Sequence, residues 1–213
     1  MKKNILIALA FVASVTFVPS IVHAADTEPG FTPLFDGKTF AGWKPSVENS
    51  NTWKLEDGAI VTRGERSHLY YVGDAKPFKN FELKVDVMTA TNSNGGIYIH
   101  TKYQEDGWPK VGFETQVNNT HKDWKKTGSL YDVVNVKESA AKDNQWWTQH
   151  IIVKGNQITI KIDGKTVMEY TEPADQKPGA SFTRKLDEGT FALQAHDPNS
   201  VVRYKYIRVK RLD

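Results

Sequence analysis

Apolar residues recur at every second position along most of this chain. Phe81, Leu83, Val85 and Val87 form one such series. Others are Ile97 with Ile99, Phe113 with Thr115 and Val117, Ile151 with Val153, Ile158 with Ile160 and Ile162, Phe191 with Leu193 and Ala195, and Ile207 with Val209. Successive side chains of a strand point to opposite faces, so each series predicts a half-buried β-strand. Asp57-Gly58, Asn94-Gly95-Gly96, Gly155-Asn156, Asp163-Gly164 and Glu188-Gly189 punctuate the series as turns. Residues 150–170 read as three consecutive antiparallel strands, and Asp163-Gly164 suits a type I′ hairpin. No long stretch carries a helical period. Many short strands, each with one greasy face to bury, predict an all-β protein of two packed antiparallel sheets. Residues 101–110, 121–142 and 171–187 are irregular and long for connections, and are expected to be rim loops that shape a site.

The first residues break this pattern. Lys2 and Lys3 precede an apolar run from Ile5 to Val18, and Val22-His23-Ala24 supplies the small residues a signal peptidase reads. Residues 1–24 are therefore expected to be a signal peptide and residues 25–213 a single domain. The apolar run is short for a membrane-spanning helix of about 20 residues, so no stable membrane insertion is expected after cleavage. Loss of Lys2 and Lys3 lowers the formal net charge from +3 to +1. The remaining positive charges are interspersed with carboxylates, which gives no case for a nucleic-acid partner. Cysteine is absent, so the fold must rest on its core alone, a condition compatible with the bacterial periplasm expected for it.

Alternation also says what faces away from the core. If Ile97 and Ile99 are buried, Tyr98 and His100 share the other face. By the same rule Glu114, Gln116 and Asn118 lie opposite Phe113, Thr115 and Val117, and Gln194 and His196 lie opposite Leu193 and Ala195. Amides, a carboxylate and aromatic edges are what sugar hydroxyls require, since each hydroxyl both donates and accepts. A sheet face merely wetted by solvent is the plain alternative. His68 reads as a loop residue and His121 lies in the longest irregular stretch. No compact zinc spacing such as HExxH occurs, so no metal-ligating set and no cofactor are expected; Asp123 and Asp132 offer oxygen ligands for calcium if a cation is used at all. Trp43 and Trp53 are expected to pin the amino-terminal segment to the sandwich. Trp108 and Trp124 sit among polar loop residues, where either can stack on a sugar face. At most one of Trp146 and Trp147 can lie deep in the core.

The blocks GFTPLFDGKTFAGWK, WKLEDGAIV, NFELKVDVMTATNSNGGIYIH, GFETQVNN, TGSLYDV and FALQAHDP occur in this order. Together they resemble the 3-keto-disaccharide hydrolase domain family, from about Phe31 to Leu212. That family is similar in fold to the concanavalin A-like lectins and glucanases. The resemblance implies a jelly-roll β-sandwich with its site on a concave sheet. It also implies an exported bacterial hydrolase or lyase that acts on glycosides oxidised to a ketone at C3. By the family's motif, Glu114, Gln116 and Asn118 occupy its Glu-x-Gln-x-Asp/Asn positions. His100 stands where many members carry Arg, and Gly95 stands at the usual Ser.

The Glu-x-Asp-x-x-Glu series of the glucanases is missing, which disfavours two-carboxylate glycoside hydrolysis on that strand. A C3 ketone acidifies the hydrogen on C2, so one base, one oxyanion stabiliser and one acid suffice. Glu114 and His196 are the candidate base and proton donor, in either order. His100 and Gln116 are candidates for the charge developing at O3, and Asn118 and Gln194 for the ring hydroxyls. Tyr98, Tyr131 and Trp124 are further substrate contacts. A non-catalytic carbohydrate-binding module and an ordinary endo-glucanase are the competing readings.

Overall fold

The computed structural model describes residues 28–212; the expected signal peptide lies outside the described residues. Thirteen strands are found among them: β1 (Thr32–Pro33), β2 (Trp43–Pro45), β3 (Trp53–Glu56), β4 (Ala59–Thr62), β5 (Ser67–Tyr71), β6 (Phe81–Thr89), β7 (Asn94–Thr101), β8 (Phe113–Asn118), β9 (Trp147–Lys154), β10 (Gln157–Ile162), β11 (Lys165–Thr171), β12 (Thr190–Ala195) and β13 (Val202–Arg211). One sheet runs β11-β10-β9-β6-β13-β4-β3, with β1 also paired to β13, and the other runs β2-β5-β12-β7-β8. Among the described residues no helix is long and apolar enough to cross a membrane.

The predicted hairpins are present. Asp163 and Gly164 join β10 to β11 with φ of 48° and 79°, the double positive φ that a type I′ turn requires. The predicted inward series meet face to face. Phe81, Leu83, Val85 and Val87 from β6 share one core with Ile97, Ile99, Phe113, Val117 and Leu193 from the five-stranded sheet. Phe191 packs between the layers, with its ring centroid 4.5 Å from that of Phe78 and 4.9 Å from that of Phe81. Each such side chain contributes about 1.5–3 kcal/mol on leaving water, and truncation of Leu83 to Ala would cost about 2–5 kcal/mol. On β13 the buried positions change phase, from Val202 and Tyr204 to Ile207 and Val209. Tyr206, with φ of 46°, absorbs the extra residue at a bulge and stays exposed.

The tryptophans divide as expected. Trp43 donates its indole N–H to Leu34 O at 2.7 Å, and Trp53 donates to Ser67 Oγ at 3.0 Å. Trp147 is buried and Trp146 is not. The two sheets differ in their outer faces. Along β6 buried and half-buried residues alternate strictly, whereas every residue of β7 and β8 is buried. Something therefore covers the outer face of the five-stranded sheet.

Candidate functional site

In that sheet Tyr98 lies directly across from Glu114, and Gly96 lies between Gln116 on one side and Gln194 on the other. Gly96 is needed for space: a Cβ there would meet Glu114 Oε1 at 2.8 Å. The Glu114 carboxyl thus leans over a gap in the sheet surface. Tyr98 donates its hydroxyl to Glu114 Oε2 at 2.8 Å, and Gln194 Nε2 donates to Oε1 at 2.8 Å. With its carboxamide nitrogen turned toward them, Gln116 donates to Gly95 O and to Glu114 Oε1, both at 3.2 Å. Glu114 is only 6% exposed. Burial pushes its carboxyl above the ordinary range even though the Tyr98 and Gln194 donors oppose the shift. Burial and the adjacent carboxylate push the Tyr98 phenol up well beyond its usual value, so it remains a proton-bearing donor.

Above this cluster lies a hollow of about 280 Å³. Each long irregular stretch contributes a wall: Trp108 from residues 101–110, Tyr131 and Asp132 from residues 121–142, and Phe182 and Arg184 from residues 171–187. The loops are tied to the sheet and to one another. Thr127 donates its N–H to Asn118 O, Tyr131 donates its N–H to Glu114 O, and Thr183 donates its N–H to Lys110 O. Arg184 has a left-handed backbone, φ 42°, and its guanidinium rests 5.1 Å from the Phe182 ring. Among the described residues that guanidinium forms no ion pair with a carboxylate, yet its charge is felt by Glu114. His196, which also lines the hollow, packs at a tilt with its ring centroid 5.4 Å from that of Trp108 and shares a 2.8 Å hydrogen bond between Nδ1 and Asp197 Oδ2.

Of the residues expected from the sequence, Glu114, Gln116, Gln194, Tyr98, Tyr131 and His196 line this one hollow. His100, Asn118 and Trp124 do not. Alternation fails at His100 because the backbone there is left-handed, φ 52°, in a bulge where β7 gains a residue over β12. The kink is crowded by backbone: a Cβ on Gly112 or Gly189 would strike the carbonyl region of Ile99 or His100. The imidazole is buried instead against Phe81, with Nε2 2.9 Å from Lys79 O and Nδ1 accepting from Asp187 N–H at 3.3 Å. Burial lowers its pKa, and it ties two loops as a neutral ring.

Asn118 spends its amide on Asp123 O and Lys125 O, both at 2.9 Å, so it holds the covering loop where it was expected to touch sugar. Trp124 is exposed on the outside of that loop; Trp108 is the tryptophan that meets the hollow. His68 lies in β5 and not in a loop, buried beneath Trp108 with ring centroids 5.5 Å from Tyr98 and 5.6 Å from Trp108. Burial lowers its pKa to about 3, so it stays neutral. The two aspartates considered for calcium are engaged locally. Asp132 pairs with Lys125 Nζ at 2.6 Å, and Asp123 accepts from Lys125 N–H and Tyr131 OH. Arg184 went unnoticed in the sequence because loop residues carry no alternation; the only signal was the length of its loop.

Fold and hollow define a jelly-roll protein with a polar, loop-walled hollow on the outer face of one sheet. The chain belongs to the 3-keto-α-glucoside-1,2-lyase-like domain family, whose sequence model matches residues 30–210. It is 27% identical to a 3-keto-disaccharide hydrolase of Bacteroides thetaiotaomicron, over 86% of this chain and 79% of that one. Its fold is similar to that of a protein of Parabacteroides distasonis assigned as a glycosyl hydrolase, with a TM-score of 0.72, 23% identity, and coverage of 86% of this chain and 94% of that one. A carbohydrate-binding module of Bacillus subtilis is similar at a TM-score of 0.58 and 13% identity, over 80% and 96% of the two chains. Family membership places the chain among carbohydrate-active proteins.

Proposed function

We propose that this protein cleaves glycosides whose sugar carries a ketone at C3, by removing the C2 proton and expelling the C1 substituent. The observation that supports it most directly is a single buried carboxyl, Glu114, at the floor of a sugar-sized hollow. Ordinary glycoside hydrolysis takes two carboxyl groups across the scissile bond. Asp132, the other carboxylate lining the hollow, is exposed and committed to Lys125. A 3-keto sugar needs only one base.

In this reading Glu114 takes the C2 proton, and the bonding pair moves toward C3 to give an enolate with its charge on O3. The enolate then collapses: the C3 ketone reforms, a C1=C2 double bond appears, and the C1–O bond breaks. The departing oxygen gains a proton at the His196 end of the hollow. Later addition of water to the double bond would make the net change a hydrolysis. A carboxyl held above its usual pKa is a stronger base once ionised, which suits abstraction from carbon. The Arg184 guanidinium is a fixed positive charge for the enolate oxygen, and Trp108 offers a flat face to the ring.

The test is incubation of the protein with matched glucoside and 3-keto-glucoside, with products identified by mass spectrometry. Aglycone release from the ketone alone, slowed by deuterium at C2, is expected. Equal turnover of the plain glucoside, or saturable binding with no turnover of either, would overturn the proposal.

A further inference from the structure

We propose that His121, His196 and Asp197 form a site for a divalent metal of the zinc class at the rim of the hollow. One ring nitrogen from each histidine and one Asp197 oxygen lie within 4.8 Å of one another. Bonds of about 2.0–2.2 Å set neighbouring ligand atoms about 3–3.5 Å apart. His196 Nδ1 and Asp197 Oδ2 share a 2.8 Å hydrogen bond, so an ion bound by both would displace the proton between them and part the two atoms slightly. The His121 ring, its centroid 5.5 Å from that of His196, has only a short distance to close.

The surroundings are built to hold these groups. Ser200 Oγ donates to Asp197 Oδ2 at 2.7 Å, and Asn199 N–H donates to Oδ1 at 2.9 Å. His121 Nδ1 faces the protein, accepting from Asp123 N–H at 3.3 Å beside the Asn94 amide at 3.4 Å, which leaves Nε2 without a partner among the described residues. Such outer contacts orient metal ligands. His196 lines both the hollow over Glu114 and an adjoining cleft of about 570 Å³ that His121 and Asp197 also border, so an ion here has open positions on the ligand side. Lys122 borders the cleft as well, and Lys126 Nζ donates to His121 O at 2.6 Å; these are charges that oppose a cation.

Two imidazoles and one carboxylate favour a borderline ion such as Zn²⁺ over calcium or magnesium, which prefer all-oxygen sets. The ligands come from two loops, so no compact sequence spacing announces them. If the reaction proposed above is right, the ion has a natural ligand in the substrate. The adjacent 2-hydroxyl and 3-ketone of a 3-keto sugar form a vicinal oxygen pair, and a Lewis acid on the ketone acidifies C2–H. With the ion bound, His196 would act on substrate oxygen through the metal, and the proton for the departing oxygen would come from water at that end of the hollow and not from the ring.

The test uses the whole protein without an affinity tag, freed of metal by chelation and titrated with Zn²⁺ by calorimetry, and with Co²⁺ by visible absorbance. One Zn²⁺ per chain is expected, with binding weakened more than about 100-fold in His121→Ala and Asp197→Ala, while His150→Ala binds like wild type. Should His121→Ala fail to fold by circular dichroism, His121→Gln serves instead. No binding by the wild type, or binding indifferent to His121 and Asp197, overturns the site. Stoichiometric zinc with 3-keto-glycoside turnover unchanged by chelation overturns only its role on the sugar. Zinc binding without any such turnover overturns the reaction and leaves the site standing.

Discussion

The outer faces of the two sheets receive the same kind of sequence and make opposite use of it. On the eight-stranded sheet, Glu82 meets His150 at 2.9 Å and Lys210 at 3.4 Å, while Arg208 reaches Glu28 at 3.3 Å and Asp86 at 3.4 Å. Charges there are half exposed and neutralised in pairs. On the five-stranded sheet, Glu114 is buried with only neutral donors in contact, and Arg184, the cation whose charge it feels, belongs to a loop that walls the hollow. Polarity is thus spent on mutual pairing in ion pairs on one side, and gathered around a loop-covered hollow on the other.

The sharpest way to break this contrast is to neutralise one carboxylate on each face. Glu114→Gln keeps the size and most hydrogen-bonding capacity of the side chain but removes the base. Turnover of a 3-keto-glucoside is expected to fall roughly a thousandfold. Glu82→Gln, on the opposite face, is expected to leave the rate unchanged. Steady-state kinetics of the two variants beside wild type decide it: comparable activity in Glu114→Gln would take Glu114 out of the chemistry.

A smaller loss is expected from the loop cation. Arg184→Gln should reduce kcat roughly a hundredfold, the scale of losing one stabiliser of a developing oxyanion. A change confined to KM would make Arg184 a binding group and would sink its role at O3. Because Arg184 also lowers the Glu114 pKa, the acid limb of the pH–rate profile is expected to shift to higher pH in the variant.

What could be read from the chain follows from the same contrast. The core was legible wherever period two held, as along Phe81 to Val87, because alternation is a direct consequence of the pleat. It also placed Tyr98, Glu114, Gln116 and Gln194 on a common face. At His100 the rule failed, since one residue in a left-handed bulge reverses the direction of its side chain, and no local residue type demanded the bulge. For Asn118 the face was right and the partner unforeseeable, because the alternation of β8 says nothing of the loop that returns over it. Arg184, Trp108 and His121 reach the site through loop paths set by tertiary contacts such as Thr183 to Lys110, which have no periodic trace in sequence.

The smallest expected effect concerns stability and has a definite sign. Burial raises the folded-state pKa of Glu114 above the unfolded value. Below the unfolded pKa the carboxyl is protonated in both states and contributes no pH dependence. As pH rises through that value, the unfolded chain ionises freely while the folded one resists, so folding loses free energy until the folded pKa is passed. Glu114→Gln removes this penalty. Its Tm should match wild type near pH 4 and exceed it at pH 8, by roughly 2–4 °C for each kcal/mol relieved. Glu82→Gln, which weakens two partly exposed pairs, should stay within about 0.5 kcal/mol of wild type. Calorimetric melts of both variants at the two pH values separate the faces: a Glu114→Gln protein that is no more stable at pH 8 than wild type would mean that the site carries no stored cost of burial.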